Sequence, residues 1–355
     1  MSEKNLLITG GTGFLGKALA KEFIAHGWEV TLLDLLPLDD SWLQDKVEVI
    51  LGDVRDIQLL REKCKEQQVI IHAAAALPIQ GSKKLIFDIN INGTKNVLTC
   101  AKKEGVEKVI YISSTAVYGV PKTHPIYEDD SLEPIGHYGV SKAEAEKICV
   151  EFRERGYPVV ILRPKTFLGP GRLGIFQILF EWIYQGCLIY TIGNGSNRYQ
   201  LLALSDLVKA VWLTANHSGL SETINLGAQE FRTVKEELET LIKYAQSNSI
   251  VFPLPKGPIK AILKFMELCR LSPLVEWHYR TASEDSFVSI EKAKQSLGWR
   301  SQKSNVDALI ESYNEYCKNR NVYVEQRGIT HTTSWNPKLL QLFRVPSEWI
   351  RWLRK

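Results

Sequence analysis

The sequence predicts an α/β protein built on a doubly wound parallel sheet, with a smaller, mostly helical second domain toward the C-terminus. Three observations predict it. Over the first 165 residues, short β-branched runs alternate with longer helix-period segments. The apolar runs VIIHAAAA from Val69 and KVIYISS from Lys108 are continuous instead of alternating, as in strands covered on both faces. A glycine-rich turn separates the first apolar run from the first helical segment.

The strands are read at Asn5–Thr9, Glu29–Leu33, Val47–Ile50, Val69–His72, Lys108–Ile112 and Val159–Leu162, each short, apolar and followed by a turn or polar residue. Helical patterns lie between them at Phe14–His26, Ile57–Gln67, Leu85–Glu104 and Tyr138–Arg155. After Pro164 the rhythm loosens, with glycine-rich turns at Gly169–Gly174 and Gly193–Gly195 and a helix expected at Ser205–Ala215. The expected organisation is a sheet domain over residues 1–165 rejoined by 200–216, an interleaved substrate domain over 166–336, and a basic amphipathic tail over 337–355. No internal repeat is visible.

At 355 residues the chain is long enough for two domains and a sizeable core. Hydrophobic residues at 45% and charged residues at 24% match globular usage and exclude collagen-like and disordered readings. The net charge of +4 is small and dispersed, so a nucleic-acid partner is not expected, whereas a small anionic ligand fits. The six cysteines are scattered, with no metal-binding spacing, and are read as reduced and mostly buried; no metal is expected. Met-Ser-Glu-Lys-Asn runs directly into the first strand without the features of a secretory signal, which predicts a cytoplasmic protein. Residues 173–192 form the most apolar long window, but Gln177, Glu181, Gln185 and Gly186 interrupt it, so no membrane span is expected.

The strand NLLIT leads into Gly10-Gly11-Thr12-Gly13-Phe14-Leu15-Gly16 and then a helix. A helix N-terminus offers free backbone N–H groups and the positive end of a dipole, and glycines let the backbone approach a pyrophosphate. Dinucleotide binding is therefore expected at Gly10, Gly13, Phe14, Leu15 and Gly16. Asp34 at the end of the second strand is placed to accept hydrogen bonds from the adenosine ribose. No Arg or Lys lies in Leu32–Asp40 to take a 2′-phosphate, which favours NAD over NADP.

These features, with GDVRD at Gly52–Asp56, HAAA from His72, NINGTKN at Asn90–Asn96, SSTAVYG at Ser113–Gly119, YGVSK at Tyr138–Lys142 and LRP at Leu162–Pro164, resemble the extended short-chain dehydrogenase/reductase family. The resemblance covers most of residues 1–230 and implies a Rossmann-type fold with bound NAD. It further implies that Asp53 and Val54 contact the adenine and that Ala73 and Ala74 line the pyrophosphate–ribose path. Asn90 would support the active-site water and backbone, Pro164 would be among the cofactor-binding residues, and a homodimer would form through a four-helix interface.

The chemistry also follows from the residues themselves. Tyr138 and Lys142 are four apart on an expected helix and share one face. An adjacent ammonium lowers the pKa of a phenol, making Tyr138 a usable acid/base. By the resemblance, Lys142 also bonds the nicotinamide ribose and Ser114 polarises the substrate oxygen.

In the family's dehydratases an Asp-Glu pair follows the catalytic hydroxyl; here Thr115 and Ala116 stand there, which disfavours elimination and leaves epimerases and reductases. Thr166 occupies the position of an Asn that holds the substrate in nucleotide-sugar epimerases. Arg198 and Arg280 lie near the places of their diphosphate-binding arginines, Arg198 one position early with Tyr199 in the slot. The expectation is an NAD-dependent nucleotide-sugar epimerase. Its alternatives are an NAD(H)-dependent oxidoreductase of a steroid-like, lipid-linked or other hydrophobic alcohol, and a non-catalytic NAD-binding protein. The segment Ile259–Leu274 reads as an amphipathic helix, and the tail PKLLQLFRVPSEWIRWLRK suits a membrane interface, its own protein surface or a dimer partner.

Overall fold

The computed structural model describes residues 4–77, 82–171, 173–174, 176–268, 280–325, 329–330, 333–334, 345 and 347. The strands are β1 (Lys4–Thr9), β2 (Trp28–Asp34), β3 (Glu48–Leu51), β4 (Val69–His72), β5 (Lys108–Ile112), β6 (Val159–Pro164), β7 (Phe167–Leu168), β8 (Leu188–Ile192), β9 (Leu202–Ala203), β10 (Thr223–Leu226), β11 (Ile250–Leu254), and an antiparallel pair, β12 (Ile329–Thr330) and β13 (Thr333–Ser334). Seven of them form one parallel sheet in the order β10-β6-β5-β4-β1-β2-β3. The order reverses between β1 and β4, so the crevice outside their carboxyl ends is where a doubly wound sheet takes its ligand. Two short parallel pairs, β7 with β9 and β8 with β11, lie outside this sheet.

The helices are α1 (Phe14–Ala25), α2 (Ile57–Cys64), α3 (Lys83–Phe87), α4 (Thr94–Lys103), α5 (Gly136–Glu154), α6 (Phe176–Tyr184), α7 (Leu204–Asn216), α8 (Val234–Tyr244), α9 (Lys256–Leu268), α10 (Glu291–Leu297), α11 (Asn305–Lys318) and α12 (Arg320–Glu325). Their starts carry local capping chemistry: the Asp56 carboxylate accepts from the Gln58 and Leu59 N–H groups, and Thr233/Glu236 and Ser304/Asp307 form capping boxes.

Alternation along β1 divides the sheet's two faces. Leu6 and Ile8 join one buried cluster with Leu19 and Phe23 of α1 and Leu207 and Val211 of α7, while Leu7 joins another with Leu60, Val97 and Cys149. A third cluster, including Phe180, Ile183, Leu241, Leu309 and Tyr316, holds the helical C-terminal part. Cys64, Cys100, Cys149 and Cys187 are buried free thiols and Cys317 is a half-buried one; Cys269 lies outside the described residues.

All six expected strands form, with ends within two residues of those read. β10 was not expected: it pairs with β6 far earlier in the chain, and its four residues carry no periodic signal. The expected single helix over Leu85–Glu104 is corrected to α3, a π-helical turn at Asp88–Gly93, and α4. The wide turn lets Asn90 and Gly93 face inward, and a Cβ on Gly93 would lie 2.6 Å from Val54 Cγ2.

Candidate active site

The glycine turn is tightly packed. Gly10 has φ 71° and donates its N–H to Leu33 O at 2.9 Å. A Cβ at Gly10 would come within 2.8 Å of Ala74 N, and one at Gly16 within 2.4 Å of Gly10 O. Gly13 begins α1 without a side-chain cap, leaving the first-turn N–H groups to a ligand. Leu15 is buried beneath the turn, and the Phe14 ring stacks on Phe167 at 6.0 Å. Asp34 Oδ2 accepts from Thr12 N at 3.1 Å and Oδ1 from Leu35 N at 2.7 Å, fixing the end of β2 against the glycine turn. Backbone that excludes any Cβ beside an uncapped helix start fits a pyrophosphate, and the carboxylate at the end of β2 fits a ribose. Gly10, Gly13, Gly16, Ala73 and Ala74 are thus the residues that would hold NAD along its phosphates.

After β3, Val54 is buried, while the Asp53 carboxylate is engaged by Arg55, whose Nη2 lies 2.6 Å from Oδ2. The hydrogen bond from Arg55 lowers the pKa of Asp53. Arg55 also bridges to Asp88 at 2.8 Å.

Beneath the turn runs a buried relay whose protons can be assigned. Thr94 Oγ1 donates to Asn90 O at 2.7 Å, so it can only accept from His72 Nε2 at 2.9 Å. The neutral ring then presents Nδ1 as acceptor to the Thr9 hydroxyl at 2.7 Å, and Thr9 Oγ1 accepts from Ala74 N at 3.3 Å. His72 is fully buried, and burial holds its pKa down at about 3. An unfolded histidine takes up a proton near 6.5, so this group's stabilisation is complete above that pH and is lost as pH falls toward 3. By pH 5 the loss is about 2 kcal/mol. Thermal melts of wild type and His72→Gln should therefore show a difference in melting temperature that narrows from pH 7.5 to pH 5; a constant difference contradicts the assignment.

Asn90 ties three elements together. Its Oδ1 accepts from Ala76 N at 2.8 Å, and its Nδ2 donates to Ala76 O at 3.1 Å and to Ser141 Oγ at 2.9 Å. Ser141 Oγ donates to Tyr138 O at 2.8 Å, so the loop after β4 braces the first turns of α5.

Tyr138 and Lys142 both lie on α5, one turn apart, as the spacing predicts. Lys142 is 2% exposed, donates from Nζ to Ile112 O at 2.7 Å and lies 4.4 Å from the Tyr111 ring centroid. Burial brings its pKa down to about 8. Ile112 ends β5, and Ser114 follows two residues later, its Oγ accepting from Ala116 N at 3.1 Å. A Cβ on Gly139 would sit 2.8 Å from Ala116 O, so α5 presses directly on the turn that carries Ser114. Half-buried Ser114 and Tyr138 thereby belong to one packed corner of the crevice.

Of the residues expected to meet substrate, Thr115 is buried, and the Thr166 hydroxyl lies 3.1 Å from Tyr199 Oη. Arg198 is exposed, pairs with Asp285 at 3.5 Å and stacks its guanidinium 4.3 Å over Phe287. Arg280 is exposed beside a stretch outside the described residues. Pro164 is buried at the end of β6, level with Leu226 of β10.

Three charged groups of this region carry no functional signal in the sequence. Glu146 on α5 and Arg163 on β6 form a buried ion pair at 2.6 Å, and Lys165 is buried one residue beyond Pro164. Glu146 and Lys165 follow recognised motifs and Arg163 lies within one, but only tertiary contact shows the burial.

The expected amphipathic helix forms as far as Leu268, with Leu263 buried and Ile262 and Phe265 exposed; its remainder lies outside the described residues. Of the tail, Val345 O accepts from Leu188 N at 2.9 Å and Ser347 N donates to Gly186 O at 3.1 Å, so these two residues bond the chain's own surface; the rest lies outside the described residues. Among the described residues no helix is long and apolar enough to cross a membrane, and no cluster of His, Cys, Asp or Glu suits a metal.

An uncharacterised protein of Sinorhizobium fredii is 34% identical to the chain over 340 residues, 96% of this chain and 85% of that protein. The UDP-N-acetyl-alpha-D-glucosaminuronate decarboxylase of Bacillus cytotoxicus is 26% identical, covering 78% of this chain and 94% of its own. The sterol-4-alpha-carboxylate 3-dehydrogenase (decarboxylating) of Bos taurus is 29% identical over 66% of each chain. The profile of the NAD-dependent epimerase/dehydratase family matches residues 6–227. With that match on the glycine turn and sheet just described, the chain belongs to the NAD-dependent epimerase/dehydratase family of extended short-chain dehydrogenase/reductase enzymes.

Proposed function

We propose that this enzyme is an epimerase of a nucleotide sugar, with Tyr138 as the acid/base that moves the proton of the reacting hydroxyl. The observation that carries the reading is the packed corner of Ser114, Tyr138 and Lys142, with Thr115 and Ala116 where an eliminating enzyme of this family would place an acid and a base. NAD supplies the reversible oxidation of the carbinol carbon. Tyr138 Oη takes the hydroxyl proton as the carbonyl forms and returns it as the carbonyl is reduced on the other face. The Ser114 hydroxyl donates to the same substrate oxygen. Lys142, fixed on Ile112 O, keeps a positive charge beside the phenol and favours its phenolate.

The decarboxylase relative, named for a UDP-sugar acid, supports a nucleotide-sugar substrate. Thr166 in place of an Asn and the nearby rings of Phe167, Tyr199 and Phe287 favour a second reading, net oxidation of a hydrophobic alcohol, which the sterol dehydrogenase relative also supports. The reading includes a cytoplasmic homodimer, a cofactor domain over 1–165 rejoined by 200–216, and a substrate domain over 166–336.

Proton NMR of the purified enzyme with a panel of UDP-sugars and no added cofactor tests the reading. A new sugar isomer without NADH is the expected result. A keto product with accumulating NADH would replace epimerisation by the second reading.

A further inference from the structure

Lys165 is the first residue past β6, on the carboxyl edge of the sheet beside the Ser114 strand: Ile112 is level with Leu162, and Ser113 N donates to Leu162 O at 2.8 Å. Its side chain is 2% exposed. Among the described residues its Nζ has one hydrogen-bond acceptor, Ser286 Oγ at 2.7 Å, and the Tyr199 ring lies 4.8 Å away. The ammonium carries three N–H groups, so a neutral hydroxyl and a ring face leave its charge without a counterion. The carboxylate next to Ser286 in the chain is Asp285, and it is already held by Arg198 through the backbone N–H at 2.7 Å and the guanidinium at 3.5 Å.

The surroundings are those of an anion site, not a cation sink. The His124 ring lies 4.8 Å from Phe287, and its Nε2 is buried with no hydrogen-bond partner among the described residues; burial lowers its pKa, Asp285 opposes that, and Lys165 and Arg198 add to it. Two cationic side chains thus border this corner, Lys165 4.8 Å from the ring of Tyr199, whose hydroxyl bonds Thr166, and Arg198 4.3 Å over Phe287, with one committed carboxylate, Asp285, beside them. Burying an unpaired ammonium is costly, and an apolar side chain would fill the space without that cost. Burial holds the Lys165 pKa down at about 7, as expected of an ammonium that lacks its counter-charge.

We propose that Lys165 is a substrate-recognition residue that binds an anionic oxygen of the substrate, either a carboxylate on the reacting half or an oxygen of the diphosphate. The inference rests on the proposed reading only for the choice of nucleotide-sugar probes. Lys165 itself transfers no proton or group; it selects and orients.

The test is equilibrium binding of UDP, UDP-glucose and UDP-glucuronic acid to the NAD-loaded enzyme and to Lys165→Met and Lys165→Arg. Recognition of a carboxylate predicts that wild type binds UDP-glucuronic acid at least tenfold tighter than UDP-glucose, and that Lys165→Met abolishes this preference while leaving UDP-glucose affinity intact. Recognition of the diphosphate predicts that Lys165→Met weakens all three by about tenfold. Lys165→Arg should retain part of the binding in either case. In parallel, inorganic phosphate and acetate should raise the melting temperature of wild type more than that of Lys165→Met, a readout independent of any nucleotide sugar. If wild type binds no UDP compound but the phosphate effect depends on Lys165, the nucleotide-sugar reading fails and the anion site stands. If neither the nucleotide panel nor the anion effect changes in a folded, NAD-binding Lys165→Met, the proposal is overturned.

Discussion

Replacing Tyr138 by Phe is expected to lower kcat by roughly 10²–10⁴-fold while NAD binding and melting temperature stay close to wild type. The expectation follows from where Tyr138 sits. Its helix is placed by Gly139 against Ala116, by Ser141 bonding Asn90 and the Tyr138 carbonyl, and by Lys142 on Ile112 O. None of these contacts uses the phenolic oxygen, so the helix keeps these braces when that one atom is removed. Turnover with the substrate found by NMR, together with NAD titration of the same preparation, checks the split. A variant retaining more than a tenth of wild-type kcat would move the acid/base role to another group. Loss of NAD binding together with activity would show instead that the phenol holds the site together.

The second large effect is on stability. Glu146→Ala is expected to destabilise the fold by ~3–5 kcal/mol, because it strands the buried guanidinium of Arg163. The two side chains are 2% and 7% exposed and meet in a forked arrangement, with Arg163 Nε 3.0 Å from Oε1 and Nη2 2.6 Å from Oε2. Ser113 also donates to Glu146 Oε1. Burial works against the Arg163 charge, but the Glu146 hydrogen bond and charge outweigh it, and the pKa of the guanidinium is raised. A guanidinium is not deprotonated in proteins, so Arg163 remains charged when its partner is gone. From Arg163 the network continues to Tyr118 Oη at 2.6 Å and on to Asn225 Oδ1 of β10 at 2.8 Å, and the Glu128 carboxylate accepts from Asn225 N at 2.8 Å. The pair thus joins α5 to β6 and, through Tyr118 and Asn225, to the edge strand β10. Urea denaturation of Glu146→Ala measures the loss. The paired change Glu146→Leu with Arg163→Met should recover most of it, since a buried ion pair exchanged for apolar groups of similar volume is often neutral. A single variant within about 1 kcal/mol of wild type would mean that water reaches this pair.

Short-range pattern was sufficient for a defined part of this protein. The glycine turn declares itself because strand, glycines and helix start are consecutive in the chain, and Asp34 closes it one strand later. Tyr138 and Lys142 declare themselves because a four-residue spacing on a helix fixes a shared face whatever the helix packs against. The six read strands are continuous apolar runs, legible without knowing their neighbours. What depends on distant partners was not legible. β10 is a strand because β6 offers it an edge, and the wide turn at Asp88–Gly93 exists because Asn90 must reach Ala76 and Ser141. Arg163 and Lys165 stand two residues apart on the same strand end, both basic and both buried. One meets a carboxylate from α5 and the other a lone hydroxyl and a ring. Sequence alone gives both the same charge, and only the fold decides which of them is paired with a carboxylate, because the partner comes from a helix distant in the chain.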